Sequence, residues 1–383
     1  MTEAGSRGRA SAGEVRGFPE RSRPDGPASP SQLAKLATWY LRHFREPEPI
    51  SFAQAFSNVQ RILVMPEPGV TGALFAMPTL RAMRRGFPDG KIAVLVREDD
   101  TDLLEGTPEI DKVLSYSLPR GVRRLSSLLA LGRRLRSYKF DISMILDREF
   151  DLERVVLCYA SGAAVRAGLQ SEQSHPFLNL EVSRRVPGRA RAQLGIEIAR
   201  VMGIDVTDLR LSWEVPERER RLAEQLVHFR KPREDELLIG FDPGPGRSGS
   251  SMSSHQQARL LDTLCNDYQA RAILLTSPEH HDLSRRLEGM LQRDPIVVQQ
   301  RRMRDVVSLL DQCDLFVAGN TDLVLFAAAM EIPTVALMTA DEAADVELPE
   351  SDRVGVVTLV PGERFPFEEF MERTQSVLLA ESG

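Results

Sequence analysis

The chain has 383 residues, a formal net charge of −6 and a pI near 5.7. With 42% hydrophobic and 27% charged residues it reads as a soluble globular protein, long enough for two domains of ordinary size. The acidic balance argues against a nucleic-acid partner. No run reaches the ~18 apolar residues of a membrane span, and the polar N-terminus lacks the apolar centre of a secretory signal. Cys158, Cys265 and Cys313 are odd in number, far apart and set in apolar contexts. They read as buried, reduced thiols of a cytoplasmic protein.

Residues 1–30 are rich in Gly, Ser, Pro, Arg and Glu and predict a disordered tail. Leu33, Leu36, Ala37, Tyr40, Leu41 and Phe44 then form one apolar stripe at helical spacing, beside Lys35, Arg42, His43 and Arg45. This helix suits packing on the domain or contact with an anionic membrane surface. From residue 60, strands alternate with helices: RILVM (61–65), a helix over 72–87 with Pro78 inside, KIAVLV (91–96) and KVLSYS (112–117). A basic amphipathic helix over 121–138, DISMIL (141–146), the helix LERVVLCYAS and VRAGL (165–169) follow. This is a βαβ series, which implies a parallel sheet covered on both faces.

HPFLNLEV (175–182) reads as a loop with an exposed His175. ARAQLGIEIARVMGI is a helix, and the charged stretch to residue 235 suits an interdomain connection. The alternation then restarts. Strands are expected at 237–243, 271–277, 295–301, 314–320 and 333–338, with helices between them. A last helix, FEEFMERTQSVLLA, is expected to pack back on the first domain.

Two segments carry a family resemblance. RILVMPEPGVTGALFAMPTLRAMRRGFPDG and LLIGFDPGPGRSG…DLFVAGNTDLVLFAAAMEIPTVAL, in this order, resemble the ADP-heptose:lipopolysaccharide heptosyltransferases of glycosyltransferase family 9. The resemblance implies an α/β fold of the GT-B type, two Rossmann-like domains whose parallel sheets face a cleft. It sets an N-terminal acceptor domain at 31–215, a C-terminal sugar-nucleotide domain at 216–365, and a final helix at 366–383. It further implies a metal-independent, inverting transfer from a nucleotide sugar to a glycan or lipid-linked acceptor. Such acceptors sit at the inner membrane face, where the basic helices at 31–45 and 121–138 would make a peripheral contact.

Three motifs depart from the family pattern. The Asp that resembles a general base falls on Gly72, which cannot take a proton. Glu67, in the same loop, is the first choice to replace it, and Asp147, after DISMIL, the second. Asp242-Pro243-Gly244 stands for the family's His-Pro-Gly, and the lysine position falls near Ser250 or Ser251, leaving Arg247 as the cation of that loop. Gly319-Asn320-Thr321-Asp322-Leu323 replaces Gly-Asn-Asp-Ser-Gly, and Phe326 replaces a His. The expected donor contacts are Gly244, Arg247, Ser250, Arg304, Asn320 and Thr321, with Thr321 as helix N-cap. Arg301, Arg302 and Arg304 follow a strand and offer charge for a diphosphate. These departures equally suit an inactive GT-B scaffold that binds or assembles. Glu279-His280-His281-Asp282 is not expected to hold a metal, because adjacent histidines on a helix point apart.

Overall fold

The computed structural model describes residues 56, 58–119, 123–183, 192–230, 236–244, 252–276, 281–298, 302–319, 321–349 and 351–380. The tail at 1–30 and the amphipathic helix expected at 31–45 lie outside the described residues.

The apolar runs become strands buried on both faces, as parallel sheets require. β1 (Arg61–Met65), β2 (Lys91–Arg97), β3 (Lys112–Tyr116), β4 (Ile142–Ile145), β5 (Val165–Leu169) and β6 (Leu180–Val182) form one sheet. Its order is β3-β2-β1-β4-β5-β6 and every pairing is parallel, with Ile62 facing both Ile92 and Ile142. The connecting helices are α1 (Val70–Gly86), the single turn α2 (Thr101–Leu104), α3 (Arg123–Ser137) and α4 (Leu152–Ala160). α5 (Gln193–Val201) follows β6 and packs on α1.

β7 (Leu238–Asp242), β8 (Arg271–Leu274), β9 (Ile296–Val297), β10 (Leu315–Ala318), β11 (Thr334–Met338) and β12 (Val354–Thr358) make a second parallel sheet of order β12-β11-β10-β7-β8-β9. Its helices are α6 (Glu217–Arg230), α7 (Ser254–Asp267), α8 (His281–Glu288), α9 (Met303–Leu310), α10 (Asp322–Ala329), α11 (Ala340–Asp345) and α12 (Phe367–Leu379).

Both sheets are doubly wound. In each, the chain reverses direction between two central strands, β1 and β4 in the first and β7 and β10 in the second. Loops that leave the carboxyl ends of such strands diverge and open a crevice, the usual ligand site of these sheets.

Three elements differ from the sequence reading. β6 lies inside the stretch expected as a loop. Its three residues alternate buried Leu180, exposed Glu181 and buried Val182, too short a pattern to stand out. The charged stretch contains α6, whose narrow stripe of Ala223 and Val227 is buried while α6 packs on α9. The last helix does not return to the first domain. α12 lies on β11 and β12, with Phe370 and Val377 in the second domain's core.

One apolar cluster runs through both domains, from Ile62, Leu74 and Leu80 to Val306, Leu323 and Phe326. Trp213, in the connection, meets Phe326 edge-on with ring centroids 5.0 Å apart, and its amide donates to the Ala329 carbonyl.

Candidate active site

The first crevice lies beyond β1 and β4. The chain leaves β1 through Pro66, Glu67, Pro68 and Gly69, then enters α1. Gly69 is the N-cap with φ 105°, a left-handed backbone that favours glycine, and its amide donates to the Asp100 carboxylate at 3.0 Å. Burial raises Asp100, with this amide acting against the shift. A Cβ on Gly72 would lie 1.7 Å from the Glu67 carbonyl oxygen. The position that matches the family's base is therefore covered by the loop's own backbone, and no side chain fits there.

Glu67 is half-buried. Its Oε2 lies 3.8 Å from Arg148 Nε, and Arg148 Nη1 lies 3.8 Å from Glu347 Oε1, which follows α11. Arg148 thus stands between a carboxylate of each domain.

Asp147 lies deeper. It is buried, and its Oδ2 accepts from Arg154 Nε at 2.5 Å. Arg154 is placed by the start of α4. The Asp151 side chain caps that helix, accepting from the Glu153 and Arg154 amides, and Glu153 holds Arg124 through two bonds of 2.8 and 2.6 Å. Desolvation raises the Asp147 carboxyl, and the bonded Arg154 guanidinium opposes that shift. Burial works against the Arg154 charge, but the Asp147 carboxylate outweighs it and the guanidinium stays protonated.

The second crevice lies beyond β7 and β10, where Asp242 and Ala318 are in register. Asp242 is buried and accepts from the Gly244 amide at 2.8 Å. Burial pushes it up to about 6, opposed by the Gly244 amide and the neighbouring Thr321 side chain and reinforced by the charge of Asp322. Thr321 occupies the N-cap of α10, as expected, but its side chain makes no cap bond and lies beside Asp242 instead. Leu323 and Phe326 are buried in the core shared by the domains.

Arg304, expected at the diphosphate, sits at the domain junction. Its Nη2 pairs with Glu219 at 2.8 Å, its amide donates to Asp102 Oδ2 at 3.4 Å, and its side chain is 11% exposed. Arg302 is paired with Asp305 through two bonds. His175 is exposed, as expected. Arg247, Ser250, Asn320 and Arg301 lie outside the described residues. Among the described residues no group of His, Cys, Asp and Glu side chains could hold a metal ion, and no helix is long and apolar enough to cross a membrane. The sequence reading missed Arg154, Tyr116, Asp100 and Glu347. Arg154 stands in an acidic and basic run, LDREFDLER, that gives no sign of which charge turns inward.

Two doubly wound parallel sheets, joined through α1 and α10 and with loops from both meeting at Arg148, define a two-domain GT-B protein. A profile of glycosyltransferase family 9 (heptosyltransferase) matches residues 128–365, well over half of the chain, and the protein belongs to that family. The match begins inside α3, so the Glu67 loop precedes it. Lipopolysaccharide heptosyltransferase 2 of Salmonella typhimurium is 22% identical over 322 residues, covering 79% of this chain and 89% of the relative. The family 9 glycosyl transferase of Veillonella parvula superposes with a TM-score of 0.71 at 17% identity, over 84% of this chain and 97% of that one. The ADP-heptose LPS heptosyltransferase II of Escherichia coli gives 0.67 at 20% identity, over 84% and 99%.

Proposed function

We propose that the protein is a metal-independent, inverting glycosyltransferase that moves a heptose from ADP-heptose to a glycan or lipid-linked acceptor. The donor is suggested by the Escherichia coli structure, whose name specifies ADP-heptose. The observation that carries the reaction type is Glu67, a half-buried carboxylate in the loop at the first crevice, tied through Arg148 to the second domain.

In this reading Glu67 accepts the proton of the acceptor hydroxyl. The freed oxygen pair attacks the anomeric carbon from the face opposite the nucleotide. The new C–O bond forms as the bond to the β-phosphate oxygen breaks, and its electrons leave with ADP. Asp147 is committed to Arg154, and it supports the loop above it. On the donor side Arg247, Ser250, Asn320 and Thr321 meet the diphosphate, while Gly244 shapes the loop through Asp242 and Arg304 holds the junction. The exposed Arg123, Arg133, Arg134 and Arg136 of α3, a helix without acidic residues, suit a peripheral contact with the cytoplasmic face of the inner membrane.

The test is a calorimetric and thermal-shift titration with ADP, UDP, GDP and CDP, followed by turnover of ADP-heptose. Preference for ADP, weakened by Arg247→Ala, is expected. Glu67→Gln is expected to lower kcat by about 10²–10⁴-fold, the usual worth of a general base. Absence of any nucleotide binding at millimolar concentration overturns the donor assignment and leaves a GT-B scaffold that binds or assembles.

A further inference from the structure

Arg154 is a buried cation beneath the Glu67 loop, and its acceptors come from three strand ends. Nε meets Asp147 beyond β4 at 2.5 Å. Nη2 meets the Pro66 carbonyl beyond β1 at 2.5 Å. Nη1 meets the Tyr116 hydroxyl at the end of β3 at 3.3 Å. Its side chain is 4% exposed.

The planar guanidinium presents donors at fixed angles, so it sets the relative position of what it binds. Proline has no N–H, which leaves the carbonyl as the sole backbone hydrogen-bonding group of residue 66. That carbonyl belongs to the peptide linking Pro66 to Glu67, and turning this peptide swings the Glu67 side chain. The loop's far end is held separately, by the Gly69 amide on Asp100 and by the Gly72 amide on the Gly69 carbonyl. Arg154 therefore supplies the near-end constraint. A buried ion pair is often no more stabilising than an apolar pair of equal volume. What an apolar pair could not reproduce here is the bond to the Pro66 carbonyl.

We propose that Arg154 is a positioning residue that fixes the Pro66–Glu67 peptide and so holds the Glu67 carboxylate at the acceptor hydroxyl; the catalytic half of this role rests on the reading of Glu67 as base. Asp147 keeps the guanidinium charged and aimed, and Tyr116 takes its remaining edge.

The test compares the full-length wild type with Arg154→Lys, Tyr116→Phe and Glu67→Gln. Lysine keeps a charge for Asp147 but lacks the fork that reaches Pro66 and Tyr116 together. Amide deuterium exchange of the segment spanning residues 67–73 is expected to quicken roughly tenfold in Arg154→Lys, with the second domain unchanged. The kcat is expected to fall about 30–100-fold, the scale of an ångström-sized misplacement, with the donor KM changed less than about threefold. Unchanged exchange of this segment overturns the proposal. So does faster exchange with kcat intact while Glu67→Gln is inactive. If Glu67→Gln retains full turnover, the base reading fails, and exchange alone then decides whether Arg154 holds the loop. If Arg154→Lys does not fold, Tyr116→Phe decides, with a severalfold rise in exchange expected and no rise overturning the role.

Discussion

Asp242 offers a sharp test of the electrostatics at the second crevice. It is buried at the end of β7, it accepts from the Gly244 amide, and the nearby charge that acts on it is that of Asp322. Its pKa is about 6 in the folded chain, against ~3.9 unfolded. Because the folded pKa is the higher, the folded state holds the extra proton between these values, and stability falls as pH rises through this window. The full penalty above pH 6 is about two pKa units, or roughly 3 kcal/mol, and between pH 4.5 and 8 about 2 kcal/mol of it develops. Asparagine carries no charge at either pH and keeps an oxygen for the Gly244 amide. Urea unfolding of wild type and Asp242→Asn, followed by circular dichroism at pH 4.5, 6 and 8, should show the variant gaining on the wild type by about 2 kcal/mol from the lowest to the highest pH. A difference between the two proteins that stays constant to within about 0.5 kcal/mol across this range would refute the claim that Asp242 is charged at the cost of its burial.

Three further outcomes are expected. Gly72→Ala puts a methyl against the Glu67 carbonyl, where 1.7 Å is available; the loop must move, and thermal unfolding should report a loss of roughly 1–3 kcal/mol, with turnover reduced as Glu67 shifts. Phe326→Ala empties a fully buried ring site against Trp213, so unfolding should show a loss of roughly 3–5 kcal/mol together with altered tryptophan emission. Arg304→Ala removes the partner of Glu219 at the junction; stability should fall by roughly 1–3 kcal/mol, while calorimetry should find ADP affinity changed less than about twofold, and a large loss of affinity would return Arg304 to the donor site.

The sheet framework was legible because parallel strands are buried on both faces and so appear as unbroken apolar runs. RILVM and VRAGL mark β1 and β5 residue for residue. Other runs extend past the strands they mark: in the run expected at 295–301, β9 takes Ile296–Val297 while Pro295 and Val298 lie outside it. Glu67 and Asp147 were legible as carboxylates that follow the first and fourth strands, and they lie beyond the ends of β1 and β4. Their different fates were hidden. An arginine seven residues after Asp147 removes that carboxylate from solvent, and this pairing exists only once α4 has folded back over the strand ends. The pairing of Arg304 was hidden for a similar reason, since its partner Glu219 is 85 positions away in sequence and meets it through α6 packing on α9.

The departures from the family pattern share a physical character. At Gly72 the side chain is excluded by a carbonyl of the preceding loop. At Asp242 a carboxylate binds the amide of its own loop. At Phe326 a ring fills the junction against Trp213, a residue of the interdomain connection. A carboxylate kept in the β1 loop, with a buried arginine bonded to that loop's backbone, favours a rebuilt transfer site over an abandoned one. It also locates the experiment that separates them. Asp147→Asn leaves Arg154 uncompensated under either reading and so costs stability in both, whereas the conservative Glu67→Gln touches the packed interior little and should be silent in every assay but turnover.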